Sequence, residues 1–209
     1  MSGFIVIGYS GHAFVVLDII EANGHTVVGY CENEEKLWNP YNLPFLGNEM
    51  SKEGLAVLRQ YEYFIAIGSN PIRKKVYDKL LGENLQEPAK IIHPSATISP
   101  KAVVGAGTMV AAQVAINALA HVGKGVICNT NCIIEHECEI GNFVHIAPGA
   151  VLAGNVKIGA GTFVGANAVV KQGVSIGEGV TIGAGTVVLK DVADGIVLVG
   201  NPGKQVLSK

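Results

Sequence analysis

Hydrophobic and small residues recur every six positions from residue 92 to residue 193, without an insertion. In each unit the first position is aliphatic or cysteine, and the fifth is small or β-branched. The first positions are Ile92, Ile98, Val104, Val110, Ile116, Val122, Cys128, Ile134, Ile140, Ile146, Leu152, Ile158, Val164, Val170, Ile176, Ile182 and Val188. A period of six fits neither the 3.6 residues of a helical turn nor the alternation of one long strand. The pattern therefore predicts short strands joined by tight corners, stacked in coils whose first positions point inward.

Glycine often occupies the second position of the unit, where a side chain would crowd the backbone near a corner. These glycines are Gly105, Gly123, Gly141, Gly159, Gly165, Gly177 and Gly183. The whole pattern resembles the hexapeptide repeats of the left-handed parallel β-helix, in which three units form one triangular coil. The resemblance, and not the period, implies the left-handed winding, because parallel crossovers are otherwise right-handed.

The first ninety residues show a different pattern, in which short apolar runs alternate with helical segments. Strands are predicted at residues 4–7, 26–30 and 63–67, and helices at about 12–23, 52–60 and from Pro71 onwards. This order predicts a small α/β domain of the Rossmann-like βαβαβ type, with a parallel sheet. We expect two domains, the α/β domain over residues 1–84 and the β-helix over residues 90–209.

In a parallel sheet, ligands bind beyond the carboxyl ends of the strands. Three loops of the predicted sheet end there, at residues 8–12, 32–33 and 68–70. The first is suited to present backbone N–H groups and a helix N-terminus to a phosphate. Its glycine spacing is not the dinucleotide fingerprint, so spacing alone leaves a ligand site and a plain strand–helix turn equally open.

Composition excludes several other functions. The formal net charge is -2 and no Lys/Arg cluster occurs, which argues against nucleic-acid binding. We find no leader-peptide pattern and no segment suited to span a membrane. Cys128, Cys132 and Cys138 lie near His136, but their spacing matches no common zinc pattern and they occupy inward positions of the repeat. We therefore expect a reduced, cytoplasmic protein without a metal.

Three segments together resemble the bacterial sugar acetyltransferases of the sialic acid O-acetyltransferase type. These segments are residues 8–12, 64–75 and 129–155, and the similarity covers both domains. The most specific part is the run IEHEC at residues 134–138, followed by VHI at residues 144–146. The chain resembles in particular the UDP-4-amino-sugar N-acetyltransferases of the bacillosamine pathway.

The resemblance implies a homotrimer that binds a nucleotide-linked amino sugar in the small domain and acetyl-CoA between neighbouring β-helices. It implies that His136 is the general base and that Glu137 orients it and raises its basicity. Contacts to acetyl-CoA are implied for His145 and for the backbone near Gly154, Ala166 and Ala184. Contacts to the nucleotide sugar are implied for Ser10, Gly11, His12, Glu32, Asn33 and Gly68.

The chain departs from the family pattern at two places. Family members commonly carry two aspartates where Glu32 and Asn33 stand, and some have glycine where Ala13 follows His12. The first departure leaves the nucleobase open.

The chemistry of the residues agrees with these implied roles. An amine that attacks a thioester must lose its proton, and histidine is suited to accept it near neutral pH. His136 occupies the third position of its unit, beside a corner, where a side chain can reach a groove outside the prism. A backbone N–H near Gly154 is a candidate donor to the tetrahedral oxyanion. No serine stands in a nucleophile motif, which favours direct transfer over an acyl-enzyme.

We therefore expect an acetyl-CoA-dependent N-acetyltransferase acting on the 4-amino group of a nucleotide-linked 4-amino-4,6-dideoxy sugar, with UDP as the favoured nucleotide. One alternative is O-acetylation of sialic acid or a related sugar with the same base. Another is a γ-type carbonic anhydrase, which needs a close pair of histidines, whereas His136 and His145 are nine residues apart. The non-enzymatic alternative is a sugar-nucleotide-binding trimeric scaffold, against which the pair His136 and Glu137 argues.

Overall fold

The computed structural model describes residues 3–206, so residues 1–2 and 207–209 of the two predicted domains lie outside the described part. The N-terminal elements are β1 (Gly3–Ile7), α1 (Gly11–Ala22), β2 (Thr26–Cys31), α2 (Lys52–Leu58), β3 (Glu62–Ile65) and α3 (Asn70–Gly82). The three strands form a parallel sheet in the order β2–β1–β3. The α/β class predicted for this region is confirmed, with α2 and β3 each ending two residues earlier than expected.

Seventeen strands of two residues each follow, one for every repeat unit. They are β4 (Ile91–Ile92), β5 (Thr97–Ile98), β6 (Val103–Val104), β7 (Met109–Val110), β8 (Ala115–Ile116), β9 (His121–Val122), β10 (Ile127–Cys128), β11 (Ile133–Ile134), β12 (Glu139–Ile140), β13 (His145–Ile146), β14 (Val151–Leu152), β15 (Lys157–Ile158), β16 (Phe163–Val164), β17 (Val169–Val170), β18 (Ser175–Ile176), β19 (Thr181–Ile182) and β20 (Val187–Val188). The strands β21 (Val197–Val199) and β22 (Lys204–Gln205) close the C-terminal end. Each repeat strand pairs in parallel with a strand one coil away, as β10 does with β13. The predicted left-handed β-helix, of about six turns, is confirmed.

The prism has three faces, which we name by their outer side. The docked face (β4, β7, β10, β13, β16, β19, β21, β22) carries the N-terminal domain. The aliphatic face (β5, β8, β11, β14, β17, β20) and the charged face (β6, β9, β12, β15, β18) are the other two. The second residue of each two-residue strand points inward, so Ile134, Ile140 and Ile146 are at most 3% exposed. The first residue points outward and gives each face its character.

Each corner from residue 107 to residue 185 turns through a backbone conformation with φ between 55 and 75 degrees. The turning residue is always the fourth of its unit, and half of these residues are not glycine, Glu137 among them. Asn and Gly are frequent there because they tolerate this left-handed conformation best. The second-position glycines have another reason: a Cβ on Gly141 would lie 2.7 Å from the backbone nitrogen of Ala160 in the next coil.

Arg73 of α3 joins the N-terminal domain to the docked face. Its side chain is 1% exposed, and its Nε donates to the carbonyl of Gly125 on the prism at 2.7 Å. The remaining N–H groups donate to the carbonyls of Phe143 and Gly68 and to Asn70 Oδ1. No carboxylate accepts from this guanidinium within residues 3–206, so carbonyl dipoles alone hold a buried charge.

All four cysteines are free and buried. Among the described residues there is no group of three His, Cys, Asp or Glu side chains placed to hold a metal ion. The helices within residues 3–206 include none that is long and apolar enough to cross a membrane.

Candidate active site

His136 and Glu137 form a pair at the corner between the aliphatic and charged faces. His136 Nδ1 lies 3.0 Å from Glu137 Oε2, and their side chains are 49% and 58% exposed. When Nδ1–H donates to the carboxylate, the lone pair of Nε2 is left to accept a proton from outside. The pair is therefore arranged as a base with an orienting acid, and it is open to a ligand at the corner.

The His136 ring packs against Gly154, which occupies the same corner one coil further on. A Cβ added to Gly154 would lie 2.4 Å from His136 Cε1 and 2.5 Å from Nε2. Such distances are far inside van der Waals contact, so only glycine leaves room for this position of the ring. Glycine at 154 thus sets where the base lies.

Replacing Gly154 by alanine is expected to displace the imidazole and lower kcat by about 10²-fold, the cost of a misplacement of about 1 Å. Steady-state kinetics, with a thermal unfolding curve to verify folding, would measure this. Gly82→Ala is the matched control, because a Cβ at Gly82 meets no atom within 4 Å and Gly82 ends α3 away from the pair. A folded Gly154→Ala variant with the wild-type kcat would show that the ring position is unimportant.

The third position of the repeat unit lies at a corner, and where it is not proline its backbone N–H takes no part in the pairing between strands. At Thr130 and His136 a side-chain oxygen of the preceding residue accepts this N–H. At most of the other third positions, Gly154, Ala166 and Ala184 among them, the N–H has no acceptor within the described part of the chain. These three residues, singled out from the sequence as contacts of acetyl-CoA, thus offer the open donors that amide and thioester oxygens require.

His12, at the start of α1, and His145, on the prism, face each other where the two domains meet, with ring centroids 6.4 Å apart. His145 is on β13 of the docked face, near Asn129, and its ring packs edge-on against Phe163. Burial, followed by the charge of Arg73, lowers the pKa of both histidines to about 4. Both rings are therefore neutral at physiological pH. His12 Nε2 is also buried without a hydrogen-bond partner among the described residues.

These lowered pKa values predict acid sensitivity. Between pH 6.5 and pH 4 the unfolded state binds protons at positions 12 and 145 that the folded state excludes. The free energy of unfolding should therefore be fully retained above about pH 6.5 and fall as the pH approaches 4, by up to about 3 kcal/mol for each histidine. Urea unfolding at pH 7 and pH 5 would measure the loss. His145→Asn should flatten the pH dependence and the exposed control His121→Asn should not; equal slopes in both would contradict this origin.

A cavity of about 400 Å³ opens at the carboxyl ends of the three N-terminal strands. It is lined by Ser10, Glu32, Asn33 and Gly68 from the predicted substrate set, whereas Gly11 and His12 lie outside its lining. The cavity also contains Glu49, which the sequence analysis did not single out. No sequence signal pointed to Glu49, because it stands in the irregular segment between β2 and α2.

The predicted site residues fall into groups that one chain does not bring together. His136, Glu137 and Gly154 are at the corner between the aliphatic and charged faces. Ala166 and Ala184 are at the corner between the docked and aliphatic faces, and His145 is on the docked face itself. The cavity of about 400 Å³ belongs to the domain on the docked face. The aliphatic face lies between the two groups.

Comparison with known proteins covers both domains. The sequence matches the PglD N-terminal domain family over residues 4–80 and the bacterial transferase hexapeptide (six repeats) family over residues 155–190. It is 30% identical over 114 residues to the UDP-N-acetylbacillosamine N-acetyltransferase of Bacillus subtilis (strain 168). This match covers 54% of the chain and 52% of the relative, so the chain spans about half the length of that curated relative.

Solved structures resemble the whole chain. The acetyltransferase domain of PglB from Neisseria gonorrhoeae FA1090 superposes with a TM-score of 0.91 at 33% identity, over 99% of this chain and 100% of that one. PerB from Caulobacter crescentus, solved in complex with CoA and GDP-perosamine, superposes with a TM-score of 0.91 at 35% identity, over 99% of this chain and 98% of that one. The Neisseria domain has also been solved with acetyl coenzyme A, with a TM-score of 0.88 at 32% identity and 98% coverage of both chains.

Proposed function

The chain belongs to the bacterial sugar acetyltransferases that combine a PglD N-terminal domain with a hexapeptide-repeat β-helix, and on this premise we propose that it transfers the acetyl group of acetyl-CoA to the 4-amino group of a nucleotide-linked 4-amino-4,6-dideoxy sugar. The observation that carries the proposal is the exposed His136–Glu137 pair, packed on Gly154 beside an open backbone N–H. An imidazole that is oriented by a carboxylate and exposed at a corner of the prism is suited to deprotonate an amine.

In this proposal His136 acts as the general base. Its Nε2 accepts the proton that the amine loses as the nitrogen bonds to the acetyl carbonyl carbon. The C–S bond then breaks, and His136 returns the proton to the leaving thiolate. Glu137 keeps Nδ1 protonated and stabilises the positive charge that the ring carries between the two transfers.

The backbone N–H of Gly154 is the donor that we propose for the oxyanion, because it is open and lies at the corner against which the base packs. The open N–H groups of Ala166 and Ala184 and the neutral ring of His145 would hold acetyl-CoA. His12 Nε2, which is buried and unpartnered among the described residues, would gain a hydrogen bond from bound substrate.

Assembly as a homotrimer would bring the separated groups together. The outward residues of the aliphatic face are Thr97, Ala115, Ile133, Val151, Val169 and Val187, and all are half-buried or exposed. The charged face instead carries the ion pair Glu139–Lys157, and the docked face is covered at Met109 and Ile127. The aliphatic face is therefore the one that gains most from burial. Three copies with this face toward a common axis would place the His136 corner of each beside the Ala166 corner of the next.

The test is release of CoA thiol from acetyl-CoA in the presence of GDP-, UDP- and dTDP-linked 4-amino-4,6-dideoxy sugars and of free sialic acid. Turnover with an amino sugar, with an amide as the product, would support the proposal. Turnover with sialic acid alone would instead indicate an O-acetyltransferase on the same scaffold. Binding of acetyl-CoA without turnover of any acceptor would refute the acceptor class.

A further inference from the structure

The cavity of the N-terminal domain contains two carboxylates of different character. Glu32 is held: its oxygens accept from the backbone N–H groups of Tyr9 at 3.3 Å and Asn33 at 3.2 Å, and Lys36 Nζ lies 3.4 Å away. Its charge is thus compensated and its position fixed by the strand ends of β1 and β2.

Glu49 has no such partners. Its carboxylate lines the cavity, and within residues 3–206 it accepts no hydrogen bond and forms no ion pair. Burial raises the pKa of the nearby Cys31 thiol to about 12, and the negative charge of Glu49 is the second cause. Both oxygens of this carboxylate are therefore free to accept donors from a ligand in the cavity.

Asn33, which offers a hydrogen-bond donor, also lines the cavity. Asn48 Nδ2 donates to Asn33 Oδ1 at 2.9 Å, while Asn48 Oδ1 accepts from the backbone N–H of Met50 at 2.8 Å. The backbone thus orients Asn48, which in turn occupies the carbonyl end of Asn33. The amide NH₂ of Asn33 is the end left for a ligand, and Glu49, the chain neighbour of Asn48, lines the same cavity.

The rest of the lining is mixed, with serine and glycine residues and an apolar part. Ile7, Ala66, Ile72 and Val76 form the apolar part, and the volume of about 400 Å³ lies in the range of small-molecule sites. A partly apolar cavity lined by a free carboxylate and a free amide NH₂ suits a flat heterocycle that presents donors and an acceptor on one edge.

Guanine matches this arrangement better than uracil or thymine. Its N1–H and N2–H₂ lie side by side and fit the two oxygens of one carboxylate, and its O6 accepts from an amide NH₂. Uracil and thymine offer one N3–H between two carbonyl oxygens, so the second carboxylate oxygen would face a carbonyl oxygen. We propose that Glu49, with Asn33, is a specificity-determining residue that recognises guanine, and that the acceptor is a GDP-linked amino sugar. This inference rests on the proposed function and differs from the UDP expectation drawn from the family resemblance.

The test is calorimetric binding of GDP, IDP and UDP to the wild type, Glu49→Gln and Glu53→Gln. IDP lacks the N2 amino group and so isolates one of the two contacts. The wild type should bind GDP about 10- to 100-fold more tightly than UDP and about 10-fold more tightly than IDP. Glu49→Gln should lose most of its GDP affinity and little UDP affinity, and it should no longer separate GDP from IDP. Glu53→Gln, an exposed control on α2, should bind as the wild type does.

Two results would overturn the inference: a wild type that prefers UDP, or a Glu49→Gln variant that retains the GDP preference. Either would leave the proposed function intact as long as a nucleotide sugar is acetylated. Failure of all three nucleotides to bind would remove the nucleotide-linked acceptor and the inference together, and the thiol-release assay identifies that case separately.

Discussion

Replacing His136 by alanine is expected to lower kcat by about 10²–10⁴-fold, the usual contribution of a positioned general base. The side chain is 49% exposed at a corner and lies outside the core of the prism, where it packs on Gly154, so the variant should fold and unfold nearly as the wild type does. The affinity for acetyl-CoA should change little, because the open N–H groups proposed to hold it belong to the backbone. Steady-state kinetics with the amino sugar that the thiol-release assay identifies, together with a thermal unfolding curve, would measure both quantities.

The control for this variant is His121→Ala. His121 is exposed on the charged face and also loses an imidazole, but it forms no ion pair within residues 3–206, because Glu139, its neighbour in the strand ladder, pairs with Lys157 instead. It should retain wild-type turnover. Equal turnover in His136→Ala and His121→Ala would remove His136 from the mechanism, whatever the fold and the substrate.

Replacing Arg73 by methionine is expected to lower the free energy of unfolding by about 3 kcal/mol or more. The change leaves the buried carbonyls of Gly125 and Phe143 without a donor, and each unsatisfied buried group costs about 1–3 kcal/mol. Arg73→Lys should recover only part of this, since one ammonium lacks the planar fork that reaches both domains. Unfolding in urea would measure the loss.

Arg59→Met is the matched control for Arg73→Met. Arg59 is exposed and donates to one carbonyl, that of Glu83, so its removal should cost about 1 kcal/mol or less. The loss at Arg73 should also raise KM for the nucleotide sugar, because the cavity-bearing domain would no longer be fixed to the prism. Equal stability of the two variants would show that Arg73 does not join the domains.

The repeat made the prism predictable because each unit is stabilised by the same inward stack. A first-position residue such as Ile134 lies on its counterparts one coil away, so a local pattern of six letters determines a long-range pairing. The left-handed backbone conformation at the corners cannot be predicted from the sequence, because residues as different as Glu137 and Phe143 adopt it. At such a corner the local twist is imposed by the strands on both sides and not by the residue itself.

The site was predictable only in part. His136 and Glu137 are adjacent in sequence, so their contact is local, whereas the packing of the ring on Gly154 depends on the eighteen-residue coil. The role of Arg73 could not be inferred from its position in a helical run of basic residues, because burial depends on how the domains dock. Glu49 and Asn48 stand in an irregular segment, where no periodicity relates sequence to position.

The pairing of strands between coils fixes the spacing from one coil to the next along the axis of the β-helix. Strands one coil apart, such as β11 and β14, are hydrogen-bonded neighbours, so one coil advances the chain by about 4.8 Å along the axis. Inserting or deleting one whole coil between the docking residues and His136 would shift the base by that step and keep it at the same corner. A change of a single six-residue unit would carry it to a different corner, away from its partner surface. The height of His136 above the cavity of the N-terminal domain can therefore change only in whole steps, and if the proposed function holds, an acceptor amine that falls between two steps must be brought to His136 by the tilt of the sugar.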